Sequence, residues 1–263
     1  MAPQLQWSHL RVFEITTSHI ASFDGTPLAV HRTGSGRPVL LLHGLFSSAH
    51  MNWIKFGHAQ ALADAGFEAI MPDLRAHGQS AAPHDPDAYP ADVLVRDCRH
   101  LAGALGLEDF DLVGFSLGAR TAAAAVMAGL APRRLVLAGM GLESLDNWHR
   151  RSAFFIDAID RFDEVKRGDP AFMAVSFMKT MKVDTVAARL LLEAESDMDR
   201  ADLARITMPT LVLCGEDDRD NGSPADLAAA LPDAQLRLIP GTHMSSVTMP
   251  EMGAGIVEFL QQG

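Results

Sequence analysis

The chain of 263 residues carries two cysteines, one tyrosine and no basic run, and each shortage removes a class of protein. Cys98, in an expected helix, and Cys214, in an expected strand, form neither a disulfide framework nor a metal-binding spacing, so both are expected as buried, reduced thiols. With 22 Lys and Arg against 33 Asp and Glu the net charge is −11, the wrong sign for a surface that tracks phosphates. Nucleic acid is not an expected partner. No stretch approaches the roughly 18 apolar residues of a membrane span. The first residues, MAPQLQWSHLRVFEITT, lack the charged-then-apolar order of a secretion signal. The expectation is a soluble, cytoplasmic protein with no membrane partner.

What is present is apolar residues in abundance, 48% of the chain, enough for a packed core. Two antiparallel strands are expected at about Ile15–Phe23 and Leu28–Arg32, joined by the turn Asp24-Gly25-Thr26-Pro27. After Gly34-Ser35-Gly36, strands that read as continuous apolar runs alternate with helical segments. Pro38–Leu42, Glu68–Met71, Phe110–Phe115, Arg134–Ala138, Pro209–Cys214 and Gln235–Ile239 are the strands. Helices are expected over Asn52–Ala65, Ala91–Leu105, the alanine-rich stretch after Ser116, Pro224–Ala230 and a last segment ending near Leu260. Such alternation predicts an α/β fold with a mostly parallel central sheet and helices on both faces. It breaks between Leu142 and Thr207, where apolar residues recur only at helical spacing.

In an open parallel sheet, ligands sit where loops leave the carboxyl ends of the strands. His43, Asp73, Ser116, the acidic cluster 216–218 and His243 all fall in such loops. Ser116 lies in Gly114-Phe115-Ser116-Leu117-Gly118, a strand turning sharply into a helix; such a turn strains the serine backbone, exposes the hydroxyl, and leaves no room for β-carbons on either side. A serine becomes a nucleophile when a base takes its proton, and the base needs a carboxylate to fix its tautomer. Ser116, His243 and Asp218 are the candidates, with Asp217 and Glu216 as solvated neighbours of the acid. The amides of Leu117, at a helix N-terminus, and of Leu45, in the loop after the strand that ends near His43, are the candidate oxyanion donors. His43 and His77 are expected to shape that loop.

These motifs resemble the α/β-hydrolase fold family. His43-Gly44-Leu45 is similar to its oxyanion loop, Asp73–Ser80 to its D-x-R-G-H-G-x-S loop, Gly114–Gly118 to its nucleophile elbow, Gly215–Asp218 to its G-x-x-D acid, and Gly241-Thr242-His243 to its last histidine. Ala76 and Ala119 stand where glycines are usual. The resemblance implies a core of residues 1–141 and 208–263 and a helical lid inserted at 142–207. It implies hydrolysis of a small-molecule ester through an acyl-enzyme, as in small carboxylesterases, with no cofactor and no metal. Epoxide hydrolases and haloalkane dehalogenases of this fold carry an acid nucleophile, and epoxide opening needs lid tyrosines, whereas the only tyrosine here, Tyr89, precedes the lid. C–C bond hydrolysis, lactone or thioester cleavage, a lyase or cofactor-independent oxygenase using His243, and a non-catalytic receptor are the alternatives. Phe46, Phe154, Phe155, Phe177 and Met181 are the expected substrate-binding residues, suited to small or medium uncharged acyl groups.

Overall fold

The computed structural model describes residues 14–262. Residues 1–13, most of the stretch read for a secretion signal, lie outside the described residues. Eight strands form one sheet: β1 (Thr16–Ala21), β2 (Pro27–Gly34), β3 (Arg37–Leu42), β4 (Phe67–Pro72), β5 (Asp111–Phe115), β6 (Leu135–Ala138), β7 (Thr210–Gly215) and β8 (Ala234–Ile239). Their order is β1-β2-β4-β3-β5-β6-β7-β8. Only β2 runs against its neighbours; from β4 to β8 every pairing is parallel.

The continuous apolar runs follow from burial on both faces. Leu40, Leu42 and Leu112 point into one core, with α2 (Val93–Ala104) and α3 (Leu117–Met127); Val39, Leu41 and Val113 point into the other, with α1 (His58–Asp64) and α9 (Pro250–Leu260). Ala119, Ala122, Ala123 and Ala125 of α3 are fully buried, and their small side chains let the helix lie close on the central strands. The expected strands match within a few residues at each end.

One helix departs from expectation. Asn52–Ala65 is two pieces: a wide π-helical turn, His50–Ile54, and α1, divided by Gly57 in the left-handed conformation at φ 82°. The apolar periodicity carries across that break, which is why it reads as one helix.

Between β6 and β7 there is no strand. The chain forms α4 (Trp148–Asp160), α5 (Phe172–Met181) and α6 (Thr185–Ala194), flanked by short 3-10 turns at Leu142–Ser144 and Arg200–Arg205. This segment is fastened to the rest by backbone and side-chain bonds. Asp92 N–H donates to the Ala194 carbonyl at 2.8 Å, and the Arg120 guanidinium donates to the Ser196 carbonyl. Between β7 and the C-terminus lie α7 (Pro224–Ala230) and a single turn, α8 (His243–Ser246).

Candidate active site

Ser116 occupies the junction between β5 and α3. Its backbone takes φ 54°, ψ −116°, a conformation that costs a non-glycine residue of order 1–3 kcal/mol and is held by the structure around it. The flanking glycines are required by contact. A β-carbon on Gly114 would stand 2.3 Å from the Gly118 carbonyl oxygen, and one on Gly118 would stand 2.1 Å from the Leu42 carbonyl oxygen. Ser116 N–H donates to the Ala138 carbonyl at 2.8 Å, tying the turn to β6.

The histidine arrives from the far side of the sheet. β8 ends at Ile239, Gly241 turns the chain at φ 109°, and Thr242 caps the single turn α8 so that His243 leads it. His243 Nε2 lies 3.0 Å from Ser116 Oγ, and Nδ1 lies 2.7 Å from Asp218 Oδ2. An ionised Asp218 accepts only, so Nδ1 carries the proton and Nε2 is free to accept from the serine hydroxyl. The ring stacks on Phe115 at 5.0 Å.

Asp218 is buried and meets His243, while Glu216, Asp217 and Asp220 face solvent. Burial pushes its carboxyl up, but the bond from His243 and the amide of Asp220, at 3.0 Å, outweigh this and hold it below the ordinary carboxylate range. It is therefore charged at neutral pH, as the tautomer requires.

The expected oxyanion donors meet no acceptor among the described residues, whereas the neighbouring amides are spent. Gly44 N–H donates to Asn52 Oδ1 at 2.9 Å and Phe46 N–H to His77 Nε2 at 2.9 Å, leaving Leu45 between them unused. Leu45 and Leu117 both border the space beside Ser116.

His43 and His77 brace this loop from below. His43 Nε2 accepts from Leu74 N–H at 2.9 Å and its Nδ1 meets the Gly44 carbonyl at 2.8 Å. His77 Nδ1–H donates to the Arg75 carbonyl at 2.9 Å. Burial lowers the pKa of both rings, His77 to about 3, so each is neutral. Asp73 sits beneath them and takes Ala49 N–H and Gln79 N–H, both at 2.8 Å; burial raises its pKa, but these bonds and that of His31 bring it to about 2.

A cavity of about 960 Å³ opens above Ser116 and His243. Phe46, Phe154, Phe155 and Phe177 line it, as expected from the sequence. Phe155 packs edge-on against both Phe46, at 5.4 Å, and Phe154, at 5.3 Å. Met181 does not line it. Helical spacing puts Met181 on the right face of α5, but it is the last residue of that helix, where the chain reverses through left-handed Lys182. Met173, near the other end of α5, faces the cavity instead.

Comparison with known proteins gives the family and the fold. The family model described as alpha/beta hydrolase fold covers residues 37–180, more than half the chain. The chain belongs to the alpha/beta hydrolase fold family. A non-heme haloperoxidase from Rhodococcus erythropolis is 29% identical over 92% of this chain and 98% of its own. Epoxide hydrolase 2 from Siraitia grosvenorii is 37% identical, but over 38% of this chain and 31% of its own. A thermophilic esterase from Thermogutta terrifontis superposes with a TM-score of 0.70 at 27% identity, covering 94% of this chain and 98% of its own. At this level the protein is a hydrolase.

In this hydrolase Ala76, standing where the family commonly has glycine, takes φ 65°, which costs a residue with a β-carbon roughly 1–2 kcal/mol. Asn221 had no distinguishing signal in the sequence. It is buried, donates to the Gly139 carbonyl at 2.7 Å, lies 3.4 Å from His243 Nδ1, and borders the cavity. Arg120 could have been found by spacing, since it follows Ser116 by one helical turn. Among the described residues the acid and histidine side chains close enough to share a metal ion are Asp218, Asp220 and His243. Two of these already spend their facing atoms on each other. No described helix is long and apolar enough to cross a membrane.

Proposed function

We propose that this hydrolase cleaves carboxylic esters through an acyl-enzyme on Ser116. The observation that carries the reading is the continuous relay from Ser116 Oγ to His243 Nε2 at 3.0 Å and from Nδ1 to buried Asp218 at 2.7 Å, opening on a largely apolar cavity. His243 takes the hydroxyl proton as Oγ attacks the ester carbonyl, and the oxyanion develops toward the Leu45 and Leu117 amides. The protonated imidazole, stabilised by Asp218, returns the proton to the departing alcohol. Water activated by the same ring then releases the acid. Losing one oxyanion donor costs about 3–4 kcal/mol in related chemistry, so the loop geometry that His43 and His77 maintain matters as much as the relay.

The segment 142–207 serves as a lid over a core of residues 1–141 and 208–263. Phe154, Phe155 and Phe177 hold the apolar body of the substrate against Phe46, which favours small to medium acyl groups. Serine at the elbow argues against the acid-nucleophile chemistry of epoxide opening, and Tyr89 is buried away from the cavity. A panel of aryl esters of rising acyl length tests the reading. An optimum at short to medium chains, abolished by Ser116→Ala, is expected; an optimum at long chains, or turnover retained in the variant, contradicts it.

The full-length relative named as a haloperoxidase favours a second reading of the same site. Hydrogen peroxide, attacking the acyl-enzyme in place of water, forms a peracid, and the peracid oxidises halide. Halide oxidation that requires peroxide, a carboxylic acid and Ser116 supports it; ester cleavage without any such oxidation removes it.

A further inference from the structure

A smaller pocket, about 20 Å³, adjoins the main cavity beside the nucleophile. Ser116, Arg151 and Asn221 border both spaces, while Leu117, Arg120 and Trp148 close the small one on its far side. It has room for one small polar group.

Arg120 dominates its chemistry. The residue is 3% exposed and sits one turn along α3 from Ser116, whose carbonyl accepts its N–H at 3.0 Å. Its guanidinium lies 4.8 Å over the Trp148 ring and donates to the Ser196 carbonyl. Nε is buried and meets no acceptor among the described residues. The carboxylate nearest in charge, Glu195, is 3.8 Å away, too far for a hydrogen bond, and its Oε2 is likewise without a donor. Burial pushes Glu195 up to about 7, so at neutral pH it offsets Arg120 incompletely.

A buried guanidinium with an unused donor is costly unless an acceptor of opposite charge reaches it. Arg151 adds a second cation at the junction of the two spaces. It donates to the Asp220 carbonyl at 2.8 Å and forms no ion pair with a carboxylate of the described residues. A single water would satisfy Nε without answering the charge. The small volume favours a planar, two-oxygen carboxylate, which matches the guanidinium fork, over a tetrahedral phosphate or sulfonate.

We propose that this side pocket is a subsite for a carboxylate carried by the substrate, held by Arg120 with Arg151 beside it, next to the carbonyl that Ser116 attacks. The inference rests on Ser116 as nucleophile and replaces the uncharged acyl group expected from the sequence with one that carries a carboxylate. The substrate has an apolar body facing the phenylalanines and one short anionic arm.

The test compares monomethyl malonate, succinate and glutarate with neutral methyl esters of matching length. At one arm length the wild-type protein is expected to favour the anionic ester in kcat/KM by about tenfold or more, the scale of one charged hydrogen bond. Arg120→Met should erase that preference and Arg120→Lys retain part of it. Because Arg120 also braces Ser196, the same ratio in Arg151→Met is the second variant, expected to fall in the same direction. Neutral esters favoured at every length, or a preference that survives Arg120→Met, overturns the subsite. If the wild-type protein cleaves none of the esters, the nucleophile reading fails separately, and binding of monomethyl succinate to Ser116→Ala, followed by tryptophan fluorescence, decides the subsite. Binding lost on adding Arg120→Met supports it; no binding, or equal binding in both, overturns it.

Discussion

Replacing His77 with glutamine separates a bracing role from a catalytic one. The ring accepts Phe46 N–H through Nε2 and donates from Nδ1 to the Arg75 carbonyl, both at 2.9 Å. With Nε2 occupied as an acceptor there is no place for a second proton, and burial, with His43 alongside, brings its pKa to about 3. In the unfolded chain the ring titrates near its ordinary value of about 6.5. The folded pKa is depressed, so the stability tied to the neutral ring is complete above about pH 6.5 and is lost as pH falls toward about 3, because the unfolded chain takes up a proton that the folded one refuses. Between pH 8 and pH 5 that loss amounts to about 2 kcal/mol, one and a half pH units at about 1.4 kcal/mol each. A glutamine amide can accept from Phe46 and donate toward Arg75, and it does not titrate in this range. His77→Gln is expected to cost about 1–2 kcal/mol at pH 8 through poorer hydrogen bonds and to approach the wild-type protein near pH 5. Urea unfolding at the two pH values reads the difference. Activity at pH 8 should fall by no more than about a hundredfold, the scale of a small shift in reacting geometry. A gap of equal size at both pH values would refute the neutral, doubly bonded ring. A loss beyond about a thousandfold with stability intact would place His77 among the reacting groups.

Two further substitutions probe the elbow and the acid. Gly118→Ala brings a β-carbon 2.1 Å from the Leu42 carbonyl oxygen and 2.7 Å from that of His43, backbone atoms that cannot give way, so a loss of about 3 kcal/mol or more is expected in thermal or urea unfolding. An unchanged Tm would contradict the contact. Asp218→Asn keeps the shape but leaves His243 without an anion to fix its tautomer; kcat should fall by roughly a thousandfold or more while Asp217→Asn, at an exposed position, stays near wild type. Equal effects of the two changes would move the acid to another residue.

Much of the fold was legible because buried strands and their spacing are written locally. Val39–Leu42 and Leu211–Leu213 are short apolar runs buried on both faces and rich in Val and Leu, the pattern of a central parallel strand. The division of Asn52–Ala65 at Gly57 was not legible, since glycine reads equally as a tolerated helix residue or a left-handed stop, and tertiary packing decides. The site residues divide in the same way. Ser116 and His243 sit at turns whose glycines announce them, and Asp218 differs from Asp217 only in which way a short loop turns its side chain. Phe154 and Phe177 face the cavity and Met181 does not, because helical spacing specifies a face but not where along the helix a cavity ends. Asn221 and the Arg120–Glu195 contact depend on chain segments 75 or more positions apart meeting in space, or on a loop's exact path, and no local pattern records that.

The central claim is that the strained Ser116 hydroxyl, activated by His243, attacks the substrate. Incubation with a fluorophosphonate followed by intact-mass and peptide mapping tests it most directly. One covalent adduct on Ser116, lost in Ser116→Ala and strongly slowed in His243→Ala, is the expected result. A protein that hydrolyses esters yet stays unlabelled at Ser116, or labels equally fast without His243, would contradict the account.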